Sequence, residues 1–188
     1  MAKKTRKSLG FVKERQRYYL ETDTLTIALK WAGKVLIVVF LAFILVWFYG
    51  QRISTVGDSM NPALENGEVV LVDRIVYNAI PPKRGDLIAF KPRGNENAHF
   101  YIRRIIGLPG ETVEIKESEI YIDGEKLEEE YEATNINNVG IATSPIKLAE
   151  DEYFVLGDNR LNSDDSRSAD VGNVKREYIF GKVWFTLP

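Results

Sequence analysis

One serine of the chain stands in a setting that suits a nucleophile. Ser59 lies in the segment 57–64, after Gly57 and before Pro62, shortly beyond a long apolar stretch. A tight turn built from such residues exposes the hydroxyl and brings backbone N–H groups together, where they can form an oxyanion hole. Taken alone, however, the segment favours an ordinary loop serine next to a membrane helix.

A nucleophilic serine also needs a base. The chain has a single histidine, His99, so a Ser-His-Asp triad is open only through that residue. No histidine-containing catalytic motif surrounds His99, and an isolated histidine at the start of a strand is usually a solvated residue. The other route is a Ser-Lys dyad, in which burial keeps a lysine neutral.

Composition removes several classes of protein. The chain has no cysteine, which excludes a thiol nucleophile, a cysteine–zinc site and disulfides. Its 25 basic and 27 acidic residues leave a net charge of −2, so no overall positive field favours nucleic acid as a partner. A length of 188 residues, 45% of them hydrophobic, suits one domain with an anchor.

The anchor is predicted at residues 31–50. The stretch WAGKVLIVVFLAFILVWFY carries one charge, Lys34, and as a helix its roughly 19 residues extend about 28 Å, close to the hydrocarbon core of a bilayer. Trp31, Trp47 and Tyr49 lie near its ends, as in an aromatic belt. A cleaved signal peptide and a buried core helix are the alternatives. The long basic region ahead of the stretch, and the lack of a small-x-small site directly after it, argue against them.

Charge on the two sides of the anchor predicts its orientation. Residues 1–30 hold eight basic residues against three acidic ones, whereas the next twenty residues after the anchor hold one base, Arg52. The positive-inside rule therefore predicts a cytoplasmic tail at 1–30 and an extracytoplasmic domain at 51–188, on a single-pass protein of the cell membrane.

Residues 51–188 show short apolar or alternating runs broken by turn signals, which is typical of strands. Strands are predicted at 68–72, 87–90, 100–106, 112–116, 119–122, 153–156 and 181–185. Asp123-Gly124 predicts a hairpin turn inside a smaller hairpin-and-loop insertion at 111–152, and the polar runs 128–132 and 135–138 predict exposed loops. The predicted fold is mainly β, an antiparallel sheet or partly open barrel with one N-terminal transmembrane helix.

Four segments are similar to the sequence boxes of bacterial type I signal peptidases. They are SMNP at 59–62, RGDLIAF at 84–90, YIRRIIGLPGE at 101–111 and GDNRLNSDDSR at 157–167. Any one box is a weak signal, but four boxes in the family's order behind an anchor are specific. The resemblance covers residues 30–188 and implies a β-rich fold whose catalytic cleft faces the membrane surface.

The resemblance implies roles for individual residues. Ser59 would be the nucleophile, with its own N–H as an oxyanion donor, and Ser163 would orient the catalytic lysine. Asp165 and Arg167 would form a buried support, whereas without the resemblance they favour a surface pair worth at most about 1 kcal/mol. The implied site also contains Gly57 at the second oxyanion position, Met60, Pro62, Tyr101, and Arg104 on the opposite face of its strand.

The position of the base departs from the family's pattern. The family's lysine directly precedes the arginine of its box, and here Arg103 precedes Arg104. Burial lowers a lysine pKa from about 10.4 by up to about 3–5 units. The pKa of arginine starts well above that of lysine, and lowering it until the group is neutral at pH 8 would cost about 7–8 kcal/mol. Arg103 is therefore expected to be a poor base, and His99, about 13 Å away along the strand, is the remaining candidate.

Three functions are compared. The resemblance implies a signal peptidase I, a serine endopeptidase that binds the small-x-small segment of an exported pre-protein as an extended strand and needs no metal or cofactor. Arg103 favours a catalytically impaired homologue that binds pre-proteins without efficient cleavage. A self-cleaving repressor-like protein shares a similar core, but the anchor and the lack of a DNA-binding domain argue against it. The expected partners are signal peptides and the lipid bilayer, not nucleic acid.

Overall fold

The structure is a computed structural model that describes residues 24–45 and 51–187. The chain divides into two compact units, Met1–Val46 and Trp47–Pro188. Residues 1–23 of the predicted tail, and Trp47 and Tyr49 of the predicted aromatic belt, lie outside the described residues.

The first unit contains helix α1, Thr24–Leu45, which has 22 residues, most of them apolar. Its length and composition are sufficient for a membrane span, and the prediction of one long apolar helix near the N-terminus is confirmed. Helix α1 begins at Thr24, seven residues before the predicted anchor at 31–50. Apolar residues continue upstream through Leu25 and Leu29, and Lys30 between the two apolar parts is itself a good helix former, so nothing ends the helix there.

The second unit is built almost entirely from short strands. In chain order these are β1 (Gln51–Ser54), β2 (Val69–Asp73), β3 (Leu87–Phe90), β4 (Tyr101–Gly107), β5 (Thr112–Lys116), β6 (Glu119–Ile122), β7 (Glu125–Lys126), β8 (Ile146–Lys147), β9 (Glu152–Leu156), β10 (Val174–Lys175) and β11 (Ile179–Leu187). A short helix, α2 (Val76–Ala79), follows β2, and 3-10 turns lie at Pro92–Gly94, Gly140–Thr143 and Arg176–Tyr178.

Seven of the strands form one antiparallel sheet in the order β1-β2-β11-β3-β4-β9-β10. Because β1 and β10 are its two edges, this sheet stays open where a barrel would close. The last strand, β11, lies in the middle, between β2 and β3. It passes close to β2 at Gly181, where a Cβ atom would overlap the carbonyl oxygen of Asp73. The predicted mainly β, partly open antiparallel fold is confirmed.

The other four strands form a smaller antiparallel sheet in the order β7-β6-β5-β8. Strands β6 and β7 make the predicted hairpin, with Ile122 opposite Glu125. The two turn residues, Asp123 and Gly124, have φ values of 49° and 89°, as the favoured two-residue hairpin turn requires. The hairpin prediction is therefore confirmed.

Apolar side chains are buried on both faces of the large sheet. Successive residues of β3 join different cores, because Ile88 and Phe90 pack in one cluster and Ala89 in another. Alternation along a strand sends neighbouring side chains to opposite faces, so a continuous apolar run marks a strand covered on both sides. A third cluster, around Val113 and Ile120, fills the space under the small sheet.

Two parts of the chain differ from the sequence-based expectation. Strands β1, β8 and β10 have at most four residues and were not predicted, because runs this short carry little periodicity. The polar runs 128–132 and 135–138 were predicted to be exposed loops, and this is wrong at three positions. Glu129 is half-buried beside Arg160 of the loop after β9, Tyr131 is half-buried beside Arg104 of β4, and Ile136 is buried in the core.

Candidate active site

Strand β4 carries two adjacent arginines to opposite faces of the large sheet. Arg103 lies opposite Ile88 and Arg104 opposite Leu87 of β3. Because side chains alternate along a strand, the two guanidinium groups point into different surroundings. The Arg103 face contains a cavity, and the Arg104 face contains a cluster of charged partners.

The cavity on the Arg103 face has a volume of about 470 Å³. It brings together Ser59, Tyr101, Arg103 and Ser163, which are far apart in the sequence. The remaining lining residues are Thr55, Val56, Gly57, Asp58, Met60, His99, Phe100, Ile102, Leu161, Asn162 and Asp164. The cavity therefore has serine hydroxyls and one buried guanidinium among partly apolar walls.

Arg103 is 6% exposed and is held by backbone oxygens. Its Nε donates to the carbonyl oxygen of Asp164 at 2.9 Å, and its Nη1 donates to that of Ile102 at 2.6 Å. The guanidinium carbon lies 5.1 Å from the centre of the Tyr101 ring. Burial lowers the pKa of Arg103, while the charge of nearby Asp165 raises it. Since arginine stays protonated throughout the accessible pH range, the group remains a cation.

The Ser59 loop is fixed by the segment that follows β9. The N–H of Asn159 donates to the carbonyl oxygen of Ser59 at 3.1 Å, and the Asn159 side-chain amide donates to that of Asp58 at 3.1 Å. Within the loop, Asn61 N–H donates to Asp58 at 3.1 Å, and the peptide bond before Pro62 is cis. The nucleophile candidate is thus positioned by residues about a hundred positions away.

The oxyanion donors are fewer than the sequence suggests. Gly57 has a φ of 83°, and its N–H donates to the side-chain oxygen of Asn66 at 3.0 Å. This leaves the N–H of Ser59, which has no acceptor among the described residues. An oxyanion in the cavity could therefore accept the Ser59 N–H, and it would also meet the Arg103 charge.

Ser163 lies beside Ser59 without a hydrogen-bond partner. Its hydroxyl oxygen is buried and has no partner among the described residues. The close approach depends on Gly157, because a Cβ atom there would overlap both the Ser163 hydroxyl and the Ser59 carbonyl oxygen. The structure therefore contains an unused hydroxyl on the wall of the cavity.

A buried ion pair lies behind this wall. Asp165 is fully buried and accepts two hydrogen bonds from the Arg167 side chain, at 2.9 Å from Nε and 2.8 Å from Nη2. It also accepts the N–H of Gly157 at 3.1 Å. Arg167 reaches further, to the carbonyl oxygens of Arg160 and Asn138 at 2.9 Å each. Both residues stand outside the cavity lining and support the segment that carries Ser163.

The opposite face of β4 contains a charged network. Arg104 binds the fully buried Asp158 through two hydrogen bonds, at 2.8 Å from Nε and 2.5 Å from Nη2. Burial lowers the pKa of Arg104, but the hydrogen bonds with Asp158, together with the charges of Asp158, Tyr131 and Glu129, outweigh this and leave the pKa raised. The Tyr131 ring lies 4.0 Å from the Arg104 guanidinium, and its hydroxyl donates to Glu129, which also pairs with Arg160.

The remaining sequence-predicted residues are spread around the site. His99 is exposed on the rim of the cavity, and no hydrogen bond joins it to Ser59 in the described residues. Met60 lines the cavity from a buried position, whereas Pro62 is exposed outside it. Sequence reasoning gave no role to Gly157, Asn159 or Tyr131. For Gly157 and Asn159 the last sequence box was the available signal, but for Tyr131 the sequence carries none.

Comparison with known proteins gives one consistent result. The family model described as "Signal peptidase, peptidase S26" matches residues 28–187. Signal peptidase I T of Bacillus subtilis (strain 168) is 36% identical over 166 residues, which cover 85% of this chain and 84% of the relative. Signal peptidase I of Bacillus amyloliquefaciens is 37% identical over 174 residues, which cover 89% and 91%.

Among solved structures, a signal peptidase I from Enterococcus faecalis V583 is similar. It is 35% identical, has a TM-score of 0.44, and the match covers 56% of this chain and 98% of that one.

Proposed function

Because this chain belongs to the signal peptidase family, peptidase S26, we propose that it is a membrane-anchored serine endopeptidase of the signal peptidase I type. Its substrates are exported pre-proteins, whose signal peptides enter the cavity as an extended strand. Small side chains before the scissile bond pack on the apolar wall around Phe100 and Ile102.

One observation carries this proposal. A single cavity holds Ser59, the Arg103 guanidinium and the unpartnered hydroxyl of Ser163. A hydroxyl beside a cation and a hydrogen-bonding group supplies two of the parts that acyl transfer to serine requires, a nucleophile and stabilisation of negative charge, and the remaining part is a base. The Ser59 hydroxyl oxygen would attack the carbon of the bound carbonyl. The carbonyl oxygen, on which negative charge develops, would accept a hydrogen bond from the Ser59 N–H.

The proposed reaction has two stages. In the first, a C–O bond forms between Ser59 and the carbonyl carbon, the peptide C–N bond breaks, and the new amine takes a proton. In the second, water cleaves the ester and releases the signal peptide with a free carboxylate. Both stages need a group that accepts and returns a proton, and Arg103 does this poorly because it remains charged.

A second candidate function is favoured by the hydrogen bonds of Arg103. Its Nε and Nη1 donate to the carbonyl oxygens of Asp164 and Ile102, and among the described residues no hydrogen bond joins it to Ser59. A guanidinium held in this way supplies charge but no base. The alternative is a homologue that binds signal peptides without efficient cleavage.

We also propose how the chain lies in the cell membrane. Helix α1 is the single membrane span, with the basic N-terminal tail in the cytoplasm and residues 51–188 outside. The charge difference between the two sides of the span supports this orientation.

A direct experiment compares the detergent-solubilised full chain with Arg103→Lys on one pre-protein. General-base catalysis contributes about 10²–10⁴-fold, so we expect Arg103→Lys to cleave at least about a hundredfold faster. Its rate should rise with pH, because burial lowers the lysine pKa and only the neutral amine accepts a proton. The readout is the amount of mature protein formed with time.

Ser59→Ala in both backgrounds is the control, and it should abolish cleavage. Slow, Ser59-dependent cleavage by the unchanged chain supports the endopeptidase. Binding of the pre-protein without any cleavage supports the second candidate. Equal rates for the unchanged chain and Arg103→Lys would refute the conclusion that Arg103 is a poor base.

A further inference from the structure

We propose that the cavity preferentially binds the free C-terminal carboxylate of a peptide that ends in a small residue, with Arg103 as the residue that binds it. Such a peptide is the signal-peptide product of cleavage, rather than the uncut pre-protein. The inference rests on the proposed function, because it takes the same cavity and the same class of peptide.

The first reason is an excess of positive charge behind the cavity. Arg103 is 6% exposed and, in the part of the chain that the structure describes, forms no ion pair. The nearest buried carboxylate, Asp165, is already neutralised by Arg167, which binds both of its oxygens. Arg103, Asp165 and Arg167 therefore sum to one uncompensated positive charge. A buried, unpaired cation favours an anionic ligand.

The second reason is unused hydrogen-bonding capacity at the same place. Nη1 and Nε of Arg103 each have a backbone acceptor, whereas Nη2 has none among the described residues. The buried hydroxyl of Ser163 also has no partner there. Leaving such groups unsatisfied costs free energy, so a ligand that supplies acceptors is stabilised. A carboxylate has two acceptor oxygens, enough to reach both residues.

The uncut pre-protein and the cleaved signal peptide present different chemical groups to the cavity, and this difference determines which of them binds more tightly. An internal peptide bond presents one neutral carbonyl oxygen, whereas a C-terminal carboxylate presents a negative charge and two oxygens. Hydrogen bonds between a guanidinium and a carboxylate are roughly twice as strong as neutral ones. A lysine that acts as a base must be neutral, whereas an arginine keeps its charge. Tight binding of the C-terminal carboxylate is therefore expected of Arg103 and not of a neutral lysine.

Two acidic residues stand at the edge of the cavity and oppose this preference weakly. Asp58 and Asp164 line it, and both are exposed. Solvent and salt screen exposed charges more strongly than buried ones. The buried Arg103 therefore outweighs them at the floor of the cavity, while the apolar residues Val56, Phe100 and Leu161 contact the peptide.

The test is isothermal titration of the full chain in detergent with three synthetic peptides. The first ends in Ala-Leu-Ala with a free acid, the second has the same sequence with a C-terminal amide, and the third continues across the cleavage site. We expect the acid to bind at least about tenfold more tightly than the amide, as one charge-assisted hydrogen bond predicts. The acid should also bind more tightly than the third peptide, which continues across the cleavage site.

Two variants assign the preference to the residue. Arg103→Met should make the acid and the amide equal, whereas Arg74→Met, which removes an exposed arginine outside the cavity, should leave their ratio unchanged. The acid-to-amide ratio of the unchanged chain tests the inference even if Arg103→Met does not fold.

The outcomes separate this inference from the proposed function. If the spanning peptide binds and the acid shows no advantage over the amide, the carboxylate site is wrong and signal-peptide binding stands. If none of the three peptides binds, both are wrong. Retention of the acid preference in Arg103→Met would also overturn the inference, because the charge would then come from elsewhere.

Discussion

The two faces of strand β4 each carry an arginine side chain, but they surround it in opposite ways. On one face Arg104 has a fully buried carboxylate partner, Asp158, and an aromatic ring 4.0 Å from its guanidinium. On the other face Arg103 is also buried and also has an aromatic neighbour, Tyr101 at 5.1 Å, but it donates to backbone oxygens and pairs with no carboxylate among the described residues. Arg104 therefore has a buried counter-charge, whereas its neighbour Arg103 has none among the described residues.

Two adjacent residues, with Cα atoms about four ångströms apart, therefore differ in what they do: Arg104 stabilises the fold, and Arg103 remains available to a ligand. A cation with a buried partner holds two segments of the fold together, because neither charge can be removed without exposing the other. A cation without a partner contributes little to the fold and remains available to a ligand. The comparison therefore predicts that the Arg104 face is sensitive to changes in charge, and that the Arg103 face is sensitive to changes in volume.

The largest expected effect is the loss of Arg104. Arg104→Met leaves Asp158 buried without a counter-charge, and we expect the free energy of unfolding to fall by about 3–5 kcal/mol. Arg103→Met is the matched change on the other face. It strands no carboxylate, so we expect a change within about 1 kcal/mol, the net value of the hydrogen bonds lost.

The measurement is urea unfolding of the full chain in detergent, followed by tryptophan fluorescence. Equal losses of stability in Arg103→Met and Arg104→Met would contradict the comparison between the two faces.

A smaller effect is expected from volume added on the Arg103 face. In Gly157→Ala the new Cβ overlaps the Ser59 carbonyl oxygen and the Ser163 hydroxyl, and overpacking of this kind costs about 1–3 kcal/mol. Ser163→Ala removes an unpartnered buried hydroxyl at the same place, and we expect it to be nearly neutral. Thermal unfolding curves of the two variants check this contrast, which fails if Ser163→Ala is the more harmful change.

The smallest expected effect concerns the aromatic partner of Arg104. Tyr131→Phe keeps the ring over the guanidinium but removes the hydrogen bond to Glu129, so the stability should fall by about 1 kcal/mol. Tyr121→Phe is the control, since Tyr121 is a half-buried tyrosine of the small sheet outside this network. If Tyr131→Phe and Tyr121→Phe lose the same stability in urea unfolding, the loop at 128–132 is not held by this network.

The fold could be predicted from the sequence wherever a strand is covered on both sides or alternates clearly. The run Leu87–Phe90 is apolar throughout and was found with the correct bounds, because its side chains meet a core on each face. Strand β10, Val174–Lys175, has only two residues and exists because β9 offers a pairing edge. Such a strand depends on its neighbour, so its own residues do not indicate it.

The site could be predicted only in part, for a similar reason. Ser59 and Arg103 stand in sequence boxes, so local residues identify them. The half-buried state of Glu129 and Tyr131 was missed, since an acidic run is usually solvated and nothing in it indicates that Arg160 and Arg104 lie opposite. The missing partner of Ser163 is likewise a property of the assembled cavity, and no sequence pattern indicates it.

The central place of strand β11 has a consequence for the order of events during synthesis. Ser59 follows β1, Arg103 lies on β4, and the strand that joins β2 to β3, Ile179–Leu187, is synthesised after both of them. Until then the large sheet exists as two pieces with unpaired inner edges at β2 and β3. A growing chain therefore has no assembled cavity before β11 has been synthesised and has paired with both strands.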